Sequence, residues 1–249
     1  MAFKLTVLGK YSPFPPQGGA CSGYLLSAGK ENILIDLGGG ILSRLQGFIN
    51  IKELCCVLLS HHHPDHKADI HSLRHAWRAL MQRGEVNSPL RIFTPDEPRG
   101  EVGRLKSYRD ILDVVKLQPG LDYPFRPFLI EWIQTSHPLK CAAYSVKYAG
   151  QKFVYTGDTE LVKDSFLYDF CKRADLLLAE TSLMEEDKGE VPGHMTAAEA
   201  AYLAKEAGVK KLILTHFWPF YEETDLLNEA KKVFDNSHLA GEGQTYFIP

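Results

Sequence analysis

Short apolar runs alternate with polar, glycine- and proline-rich turns along the first half of the chain. Runs of this length between such turns predict strands. The predicted strands of this half are 3–9, 23–28, 32–38, 54–60 and 90–95. The run LCCVLLS (54–60) is apolar throughout, which is typical of a strand buried on both faces.

Helices are predicted where apolar residues recur at helical spacing. Leu73, Trp77 and Leu80 form such a stripe and predict a helix over 67–82, and a short helix is expected at 41–48. The chain from the strand at 90–95 through Gln118 is predicted to be irregular.

The second half repeats the alternation of strands and helices. Thr196 precedes Glu199 by three residues and predicts a capping box at the start of a helix, which Gly208 ends. The predicted strands are 128–135, 142–149, 151–156, 176–181 and 211–217. The predicted helices are 166–172, 196–206 and 225–234.

Alternating elements in two halves predict an α/β protein in which two sheets pack together with helices outside. Neither a strong repeat nor a low-complexity linker divides the chain. We therefore expect one domain over residues 1–249.

Composition narrows the classes of protein that fit this pattern. The chain has 249 residues, 45% hydrophobic and 24% charged, with a net charge of −3, which argues against binding nucleic acid by bulk charge. A membrane is not expected as a partner, because no apolar run has the roughly 18 residues of a membrane span. Five scattered cysteines and no signal peptide predict a cytoplasmic protein with reduced thiols.

The stretch LSHHHPDHKADIH (59–71) begins at the end of the apolar run 54–60 and holds five histidines and two aspartates. It is either a metal site at the end of a buried strand or a polar turn that caps the next helix. Further histidine and aspartate residues follow three other predicted strands, and such strand ends are where sheet proteins place their chemistry. The ligand-type residues at these four strand ends are His61, His63, Asp65, His66, His137, Asp158 and His216.

A tight turn from strand to helix would point His61 and His63 one way and Asp65 and His66 the other. That division predicts two metal sites that share an edge. Imidazole nitrogens suit zinc, iron and related ions, and a carboxylate such as Asp158 can bridge two of them.

The motif H-x-H-x-D-H, here HHHPDH, followed by an isolated His, an Asp and a last His, resembles the metallo-β-lactamase superfamily. The resemblance covers essentially the whole chain and implies an αβ/βα four-layer sandwich. It implies that His61, His63 and His137 hold one metal ion. It also implies that Asp65, His66 and His216 hold a second ion, and that Asp158 bridges the two.

A narrower resemblance is to the ribonuclease Z-like branch. His194, in the His-x-Thr motif of GHMTAAEA, stands 22 residues before His216, as in that branch. By resemblance, His194 helps the leaving oxygen depart and Asp65 helps to orient the attacking water, so both are candidate catalytic residues.

The chain departs from ribonuclease Z in two places. His137 and Asp158 are only 21 residues apart, so the long arm that grips transfer RNA between these positions is absent. Trp218 and Phe220 stand where that family commonly has a serine and an arginine. The chain thus looks like a short form that lacks the arm.

The function expected is that of a phosphodiesterase with two divalent metal ions, zinc or manganese, acting through a metal-bound hydroxide. A small phosphodiester or nucleotide-type substrate is expected, with RNA left open, and a homodimer is suggested by resemblance alone. The alternatives are an intracellular ester, thioester or lactone hydrolase and, less favoured, an iron-dependent redox protein. A non-catalytic adaptor fits poorly, because every ligand position is filled.

Other residues near the motif have two interpretations each. His62 should point away from the site, and His71 and His75 are either a ligand pair or surface histidines. Asp36 and Asp69 either orient a ligand histidine or belong to turns.

Several segments and side chains could line the site, and most of them have a second, structural interpretation. Segment 184–194 is either a flap or a solvated loop, and segment 10–23 is a candidate wall. Three aromatic residues suit either base stacking or core packing: Phe217, Trp218 and Tyr221. Three arginines are either phosphate contacts or part of a solvated helix face: Arg74, Arg78 and Arg83.

Overall fold

The computed structural model of the protein describes residues 2–249 and contains two seven-stranded sheets. The first sheet, in spatial order, consists of β14 (Thr245–Phe247), β1 (Phe3–Gly9), β2 (Gly23–Ala28), β3 (Glu31–Ile35), β4 (Leu54–Leu58), β5 (Leu90–Thr94) and β6 (Leu112–Lys116). The second consists of β13 (Ser237–Leu239), β12 (Leu212–Thr215), β11 (Leu176–Glu180), β10 (Gln151–Tyr155), β9 (Ala142–Tyr148), β8 (Phe128–Gln134) and β7 (Tyr123–Phe125).

Helices cover the outer faces of the two sheets. They are α1 (Ile41–Leu45), α2 (Pro64–Lys67), α3 (Ile70–Gln82), α4 (Arg99–Lys106), α5 (Phe166–Cys171), α6 (Ala197–Glu206) and α7 (Glu223–Val233), with short 3-10 helices at Ile51–Glu53 and Glu185–Asp187. Buried residues of α1, α3 and α4 pack on the first sheet, and those of α5, α6 and α7 pack on the second.

One continuous core lies between the sheets. Alternate residues of β1 to β4 face inward, as do Tyr144, Val146 and Phe153 of the second sheet. This arrangement confirms the predicted αβ/βα sandwich. The single domain over residues 1–249 stays a prediction, which this shared core supports.

Parallel pairing decides where the site lies. Strands β3 to β6 run parallel in the first sheet, and β10 to β13 run parallel in the second. The carboxyl ends of these strands therefore meet along one edge of the sandwich. Two bonds join the sheets there: the Tyr144 hydroxyl donates to the Leu59 carbonyl over 2.7 Å, and the Ala142 N–H donates to the Ser60 carbonyl over 2.9 Å.

The prediction of an irregular segment before Gln118 is wrong, because α4 and β6 lie there. β6 is an edge strand with only one fully buried residue, so its apolar signal is weak. The three-residue strands β7, β13 and β14 were not predicted either. Such strands are too short to show alternation and form by pairing with neighbours.

The helix predicted over 67–82 begins three residues later, as α3 at Ile70, and the separate short helix α2 precedes it. The chain after β3 fills the break, since the Leu37 N–H donates to the His66 carbonyl and the Asp69 N–H donates to the Leu37 carbonyl. The five cysteines are all free, and no helix within residues 2–249 is long and apolar enough to cross a membrane.

Gly38 permits the close contact between the chain after β3 and the histidine cluster. A Cβ atom at Gly38 would lie 2.0 Å from the backbone oxygen of Asp65, whereas a Cβ at Gly39 would meet nothing within 4 Å. The substitution Gly38→Ala should therefore lower the free energy of unfolding by about 3 kcal/mol, since backbone atoms must move. Gly39→Ala is the matched control and should unfold like the wild type in urea. Equal midpoints for the two variants would contradict this account.

Candidate metal centre

The turn after β4 carries the four adjacent predicted ligands. His63 is the N-cap of α2 and Pro64 occupies its first turn, so the backbone changes from extended to helical at this point. His61 and His63 thus precede the helix, while Asp65 and His66 lie within it. This separation matches the division predicted from the sequence.

The first group of converging side chains joins both halves of the chain. His61 Nε2 lies 2.9 Å from His63 Nδ1, and His63 Nδ1 lies 3.3 Å from His137 Nε2. Asp158 completes the group, with its Oδ2 atom 3.5 Å from His61 Nε2. One ligand atom from each of the four residues lies within 4.8 Å of the others.

The second group consists of Asp65, His66 and His216, whose ligand atoms also lie within 4.8 Å of one another. The two Nε2 atoms of His66 and His216 are 3.0 Å apart, and each is 3.6 Å from Asp65 Oδ2. The structure therefore brings together all seven predicted ligands, in the two sets expected.

Asp158 lies between the groups. Its carboxylate is 3.4 Å from His66 Nε2 and 3.3 Å from His216 Nε2, in addition to the contact with His61. Burial alone would raise the pKa of Asp158, but the charges of His216, His66 and His61 outweigh burial and hold that pKa well below its usual value. Asp158 is therefore a buried anion that faces both groups.

The donor set fits a cation. Asp158 Oδ1 is buried and accepts no hydrogen bond. The Nδ1–H of His66 donates to Asp36 over 2.8 Å, which leaves its Nε2 as the ligand atom, 3.0 Å from the Nε2 of His216. A divalent metal ion at these nitrogen atoms would replace the imidazolium protons as the positive charge beside Asp158.

Asp36 orients His66, as one of its two interpretations predicted. Besides His66, its carboxylate accepts hydrogen bonds from the backbone and hydroxyl of Ser60 and from the hydroxyl of Tyr155, over 2.7, 2.8 and 3.0 Å. Asp36 has a positive φ of 55°, a conformation that costs energy in a non-glycine residue. This one carboxylate therefore connects the cluster turn to both sheets.

His194 lies beside the two groups and is partly exposed. Its ring stacks on His216 with centroids 5.6 Å apart, and its Nδ1–H donates to Glu180 over 3.1 Å. Burial lowers the pKa of His194, but the Glu180 carboxylate more than compensates and raises this pKa to about 9. His194 is also within reach of Asp158 and His216 as a ligand, although its bond to Glu180 favours the protonated ring, which cannot bind a metal.

Glu180 and Ser182 were not predicted from the sequence. Glu180 is fully buried and accepts hydrogen bonds from His194 and from the backbone of Thr159 and Met195. The Ser182 hydroxyl donates to Glu180 over 2.8 Å and lies 2.8 Å from His216 Nδ1, so it accepts from that ring. The sequence did contain a signal for Glu180, because a glutamate at the end of the apolar strand LLLAE is a candidate functional residue.

Other candidates lie outside the two groups. His62 points away, as predicted, and its Nε2 lies 2.8 Å from the hydroxyl of Thr94. Asp69 accepts a hydrogen bond from the Leu42 N–H and so joins α1 to α3, which corrects the idea that it orients a ligand. His71 and His75 lie on α3 and belong to neither group.

The predicted walls are partly present. Ser12, in segment 10–23, donates to Asp65 over 2.9 Å. Phe217 is fully buried and belongs to the core, so its interpretation as a stacking residue is wrong. Trp218 and Tyr221 stack on each other, and the Tyr221 hydroxyl donates to Asp187 of segment 184–194 over 2.5 Å.

The three arginines do not form one surface toward substrate. The guanidinium of Arg74 lies 4.0 Å from the ring centroid of Tyr108, and Arg83 pairs with Glu85. Arg78 is exposed on α3, so the interpretation as a solvated face fits Arg78 and Arg83.

A two-sheet sandwich with histidines and aspartates collected at its carboxyl edge defines the metal-dependent hydrolases of the metallo-β-lactamase fold. The chain belongs to this superfamily: its residues 31–217 match the family described as "Beta-lactamase superfamily domain".

Three comparisons support the assignment. The chain is 37% identical to YhfI of Bacillus subtilis (strain 168), named as a metallo-hydrolase, over 93% of this chain and 94% of YhfI. The crystal structure of the metallo-beta-lactamase fold protein YhfI superposes with a TM-score of 0.94 at 33% identity, covering 99% of this chain and all of that one. Ribonuclease Z of Archaeoglobus fulgidus is 27% identical, over 96% of each chain.

Removing the charge of Asp36 should weaken metal binding without removing a ligand. We expect Asp36→Asn to lower zinc affinity about 10- to 100-fold, because His66 loses the partner that fixes its ring. Competition with a chromogenic chelator measures the affinity. Asp69→Asn is the control, as Asp69 contacts no ligand. Similar zinc affinity in the two variants would refute the orienting role of Asp36.

Proposed function

We propose that the protein is a phosphodiesterase with a dinuclear metal site. The observation that carries the proposal is the position of the Glu180–His194 pair. It lies against His216 and His137, beside two ligand groups that share Asp158. Cleavage of a phosphodiester with an alkoxide leaving group needs a proton donor at the departing oxygen in addition to positive charge at phosphorus, and the position of His194 supports that role.

The two groups would each hold one divalent ion. His61, His63 and His137 would hold the first, Asp65, His66 and His216 the second, and Asp158 would belong to both. The mixture of imidazole and carboxylate ligands suits zinc or manganese. When bound, such ions would polarise the phosphoryl oxygens and lower the pKa of water.

The protein's own side chains would orient the attacking water and supply a proton to the leaving oxygen. The Asp65 carboxylate, held by the Ser12 hydroxyl, would orient the attacking water. The His194 ring would donate a proton to the leaving oxygen as its bond to phosphorus breaks. Glu180 would keep the His194 ring in place, and Ser182 would hold both Glu180 and His216.

The relatives and the length of one loop bear on the substrate. A ribonuclease Z that matches along 96% of both chains supports phosphodiester chemistry. Between His137 and Asp158 the chain forms only the β9–β10 hairpin, whose two-residue turn is Ala149–Gly150. With a short hairpin at this position, we propose a small phosphodiester or nucleotide-type substrate rather than transfer RNA.

Metal content and turnover test the proposal together. Purified protein should contain about two metal ions per chain and hydrolyse bis(p-nitrophenyl) phosphate with zinc or manganese. Asp158→Ala and His63→Ala should lower turnover about a hundred-fold or more. Each variant removes a proposed metal ligand, so the negative charge that develops on the phosphoryl oxygens is less well stabilised. His62→Ala, a change to the neighbouring histidine that points away, should retain turnover if it folds by circular dichroism.

Two results would count against the proposal. Two bound metals with no phosphodiester turnover would indicate esters, thioesters or lactones as substrates. Iron with a visible absorption band would indicate redox chemistry on the same scaffold.

The role of His194 has a separate test. His194→Ala should lower turnover about 10²- to 10⁴-fold for a nucleoside cyclic phosphate, whose leaving group is an alkoxide that needs a proton. The loss should be much smaller for methyl p-nitrophenyl phosphate, because p-nitrophenolate departs without one. Glu180→Gln should show the same selectivity to a lesser degree, and Glu186→Gln, on the exposed loop, should show none. An equal loss on both substrates would exclude the proton-donor role.

A further inference from the structure

Two large aromatic side chains are exposed beside the metal centre. Phe14 is 47% exposed and Phe220 is 72% exposed, although phenylalanine is usually buried. Their rings meet edge to face, with centroids 5.7 Å apart. The pair thus joins segment 10–23 to the chain that follows β12.

Hydrogen bonds connect the two segments that carry these side chains to each other and to the metal centre. Phe14 stands two residues after Ser12, whose hydroxyl donates to Asp65. Phe220 stands four residues after His216. The Ser12 N–H donates to the carbonyl of Phe217 over 3.0 Å, which ties the two segments together at this point. Phe220 is therefore close to His216 along the chain, and the segment of Phe14 reaches Asp65 through the Ser12 hydrogen bond.

The support beneath the pair is rigid. Proline residues precede and follow Phe14, at Pro13 and Pro15, and Pro219 precedes Phe220, so the backbone has little freedom there. The Trp218 ring packs edge to face on Phe220, with centroids 6.4 Å apart, and stacks on Tyr221 behind it. Phe220 is thus held on one side and open to solvent on the other.

We propose that the open face of Phe220, flanked by Phe14, stacks the base of a nucleotide substrate whose phosphate lies at the metal centre. This inference rests on the proposed function and adds that the base is the part of the substrate that the protein recognises. A base has apolar faces and polar edges. The neighbouring side chains Gln17 and Glu222 are polar and exposed, so the edges of the base would stay hydrated while its face is covered.

An apolar acyl chain fits this surface less well. Such a chain is best bound in an enclosed apolar groove, which covers it on all sides. The pair instead presents flat rings on an open rim, and flat rings bind other flat rings by stacking. Stacking of one base on an aromatic side chain changes affinity by about 5- to 150-fold.

Equilibrium binding tests the inference without relying on turnover. Adenosine 5′-monophosphate and ribose 5-phosphate carry the same sugar and phosphate and differ in the base. Calorimetry on the purified, metal-containing protein should give an affinity for adenosine monophosphate about ten-fold or more above that for ribose 5-phosphate. Trp218 fluorescence should be quenched only by the ligand with a base, because the other two tryptophans are buried.

Four variants at Phe14 and Phe220, with one control elsewhere, test whether the aromatic pair causes the difference in affinity between the two ligands. Phe220→Ala, Phe220→Leu and Phe14→Ala should each lower the affinity for adenosine monophosphate, by about ten-fold for Phe220, and leave that for ribose 5-phosphate within about two-fold. Phe220→Tyr keeps an aromatic face and should retain the wild-type affinity. Phe247→Ala removes an equally exposed phenylalanine from β14, at the far end of β1, and should change nothing.

The outcomes separate this inference from the proposed function. Equal affinity for the two ligands, or a loss on both in Phe220→Ala, would overturn the stacking surface even if phosphodiesters are hydrolysed. Base-dependent binding that Phe220→Ala abolishes would support the surface, even if no phosphodiester turnover were found and the proposed reaction had failed.

Discussion

The whole arrangement depends on a buried carboxylate, Asp158, that lies against the imidazoles of His61, His66 and His216. Placing an anion in the interior costs several kcal/mol unless opposite charge compensates it. His61 and His66 from the first half of the chain and His216 from the second all lie within 3.5 Å of it. Because these residues follow strands of different sheets, the anion is compensated only when the two sheets meet with their carboxyl ends aligned. The site and the sandwich therefore depend on each other.

Two further buried carboxylates hold the surroundings of that anion, one from each sheet. Asp36 follows β3 and fixes His66, while its bond to Tyr155 reaches across to the second sheet. Glu180 ends β11 and fixes His194. Each of them is fully buried and accepts several hydrogen bonds, which offset the cost of removing a polar group from water. The rings of His66 and His194 therefore have defined orientations before any substrate binds.

The sequence was most informative where neighbouring residues act together. The ligands His61 to His66 lie within one turn, so their spacing alone indicated two groups, and the end of an apolar strand located them. Glu180 and Ser182 follow a different strand, and their contacts with His194 and His216 exist only through the parallel pairing of β11 with β12. For Phe217 the sequence left base stacking and core packing equally open for a related reason. Its burial depends on segment 10–23, which pairs with it from a distant part of the chain.

The short β9–β10 hairpin and the exposed aromatic pair have a common consequence for recognition. A protein with a long arm can bind a large substrate far from the reacting bond, and distant contacts then contribute to specificity. Here the chain between His137 and Asp158 forms a hairpin with a two-residue turn, so under the proposed function selectivity would come from side chains close to the two ligand groups. Ser12 already joins one rim segment to Asp65, and Phe220 lies on the other. A substrate small enough to be selected by such a rim has its phosphate and its recognised group close together, as a nucleotide does.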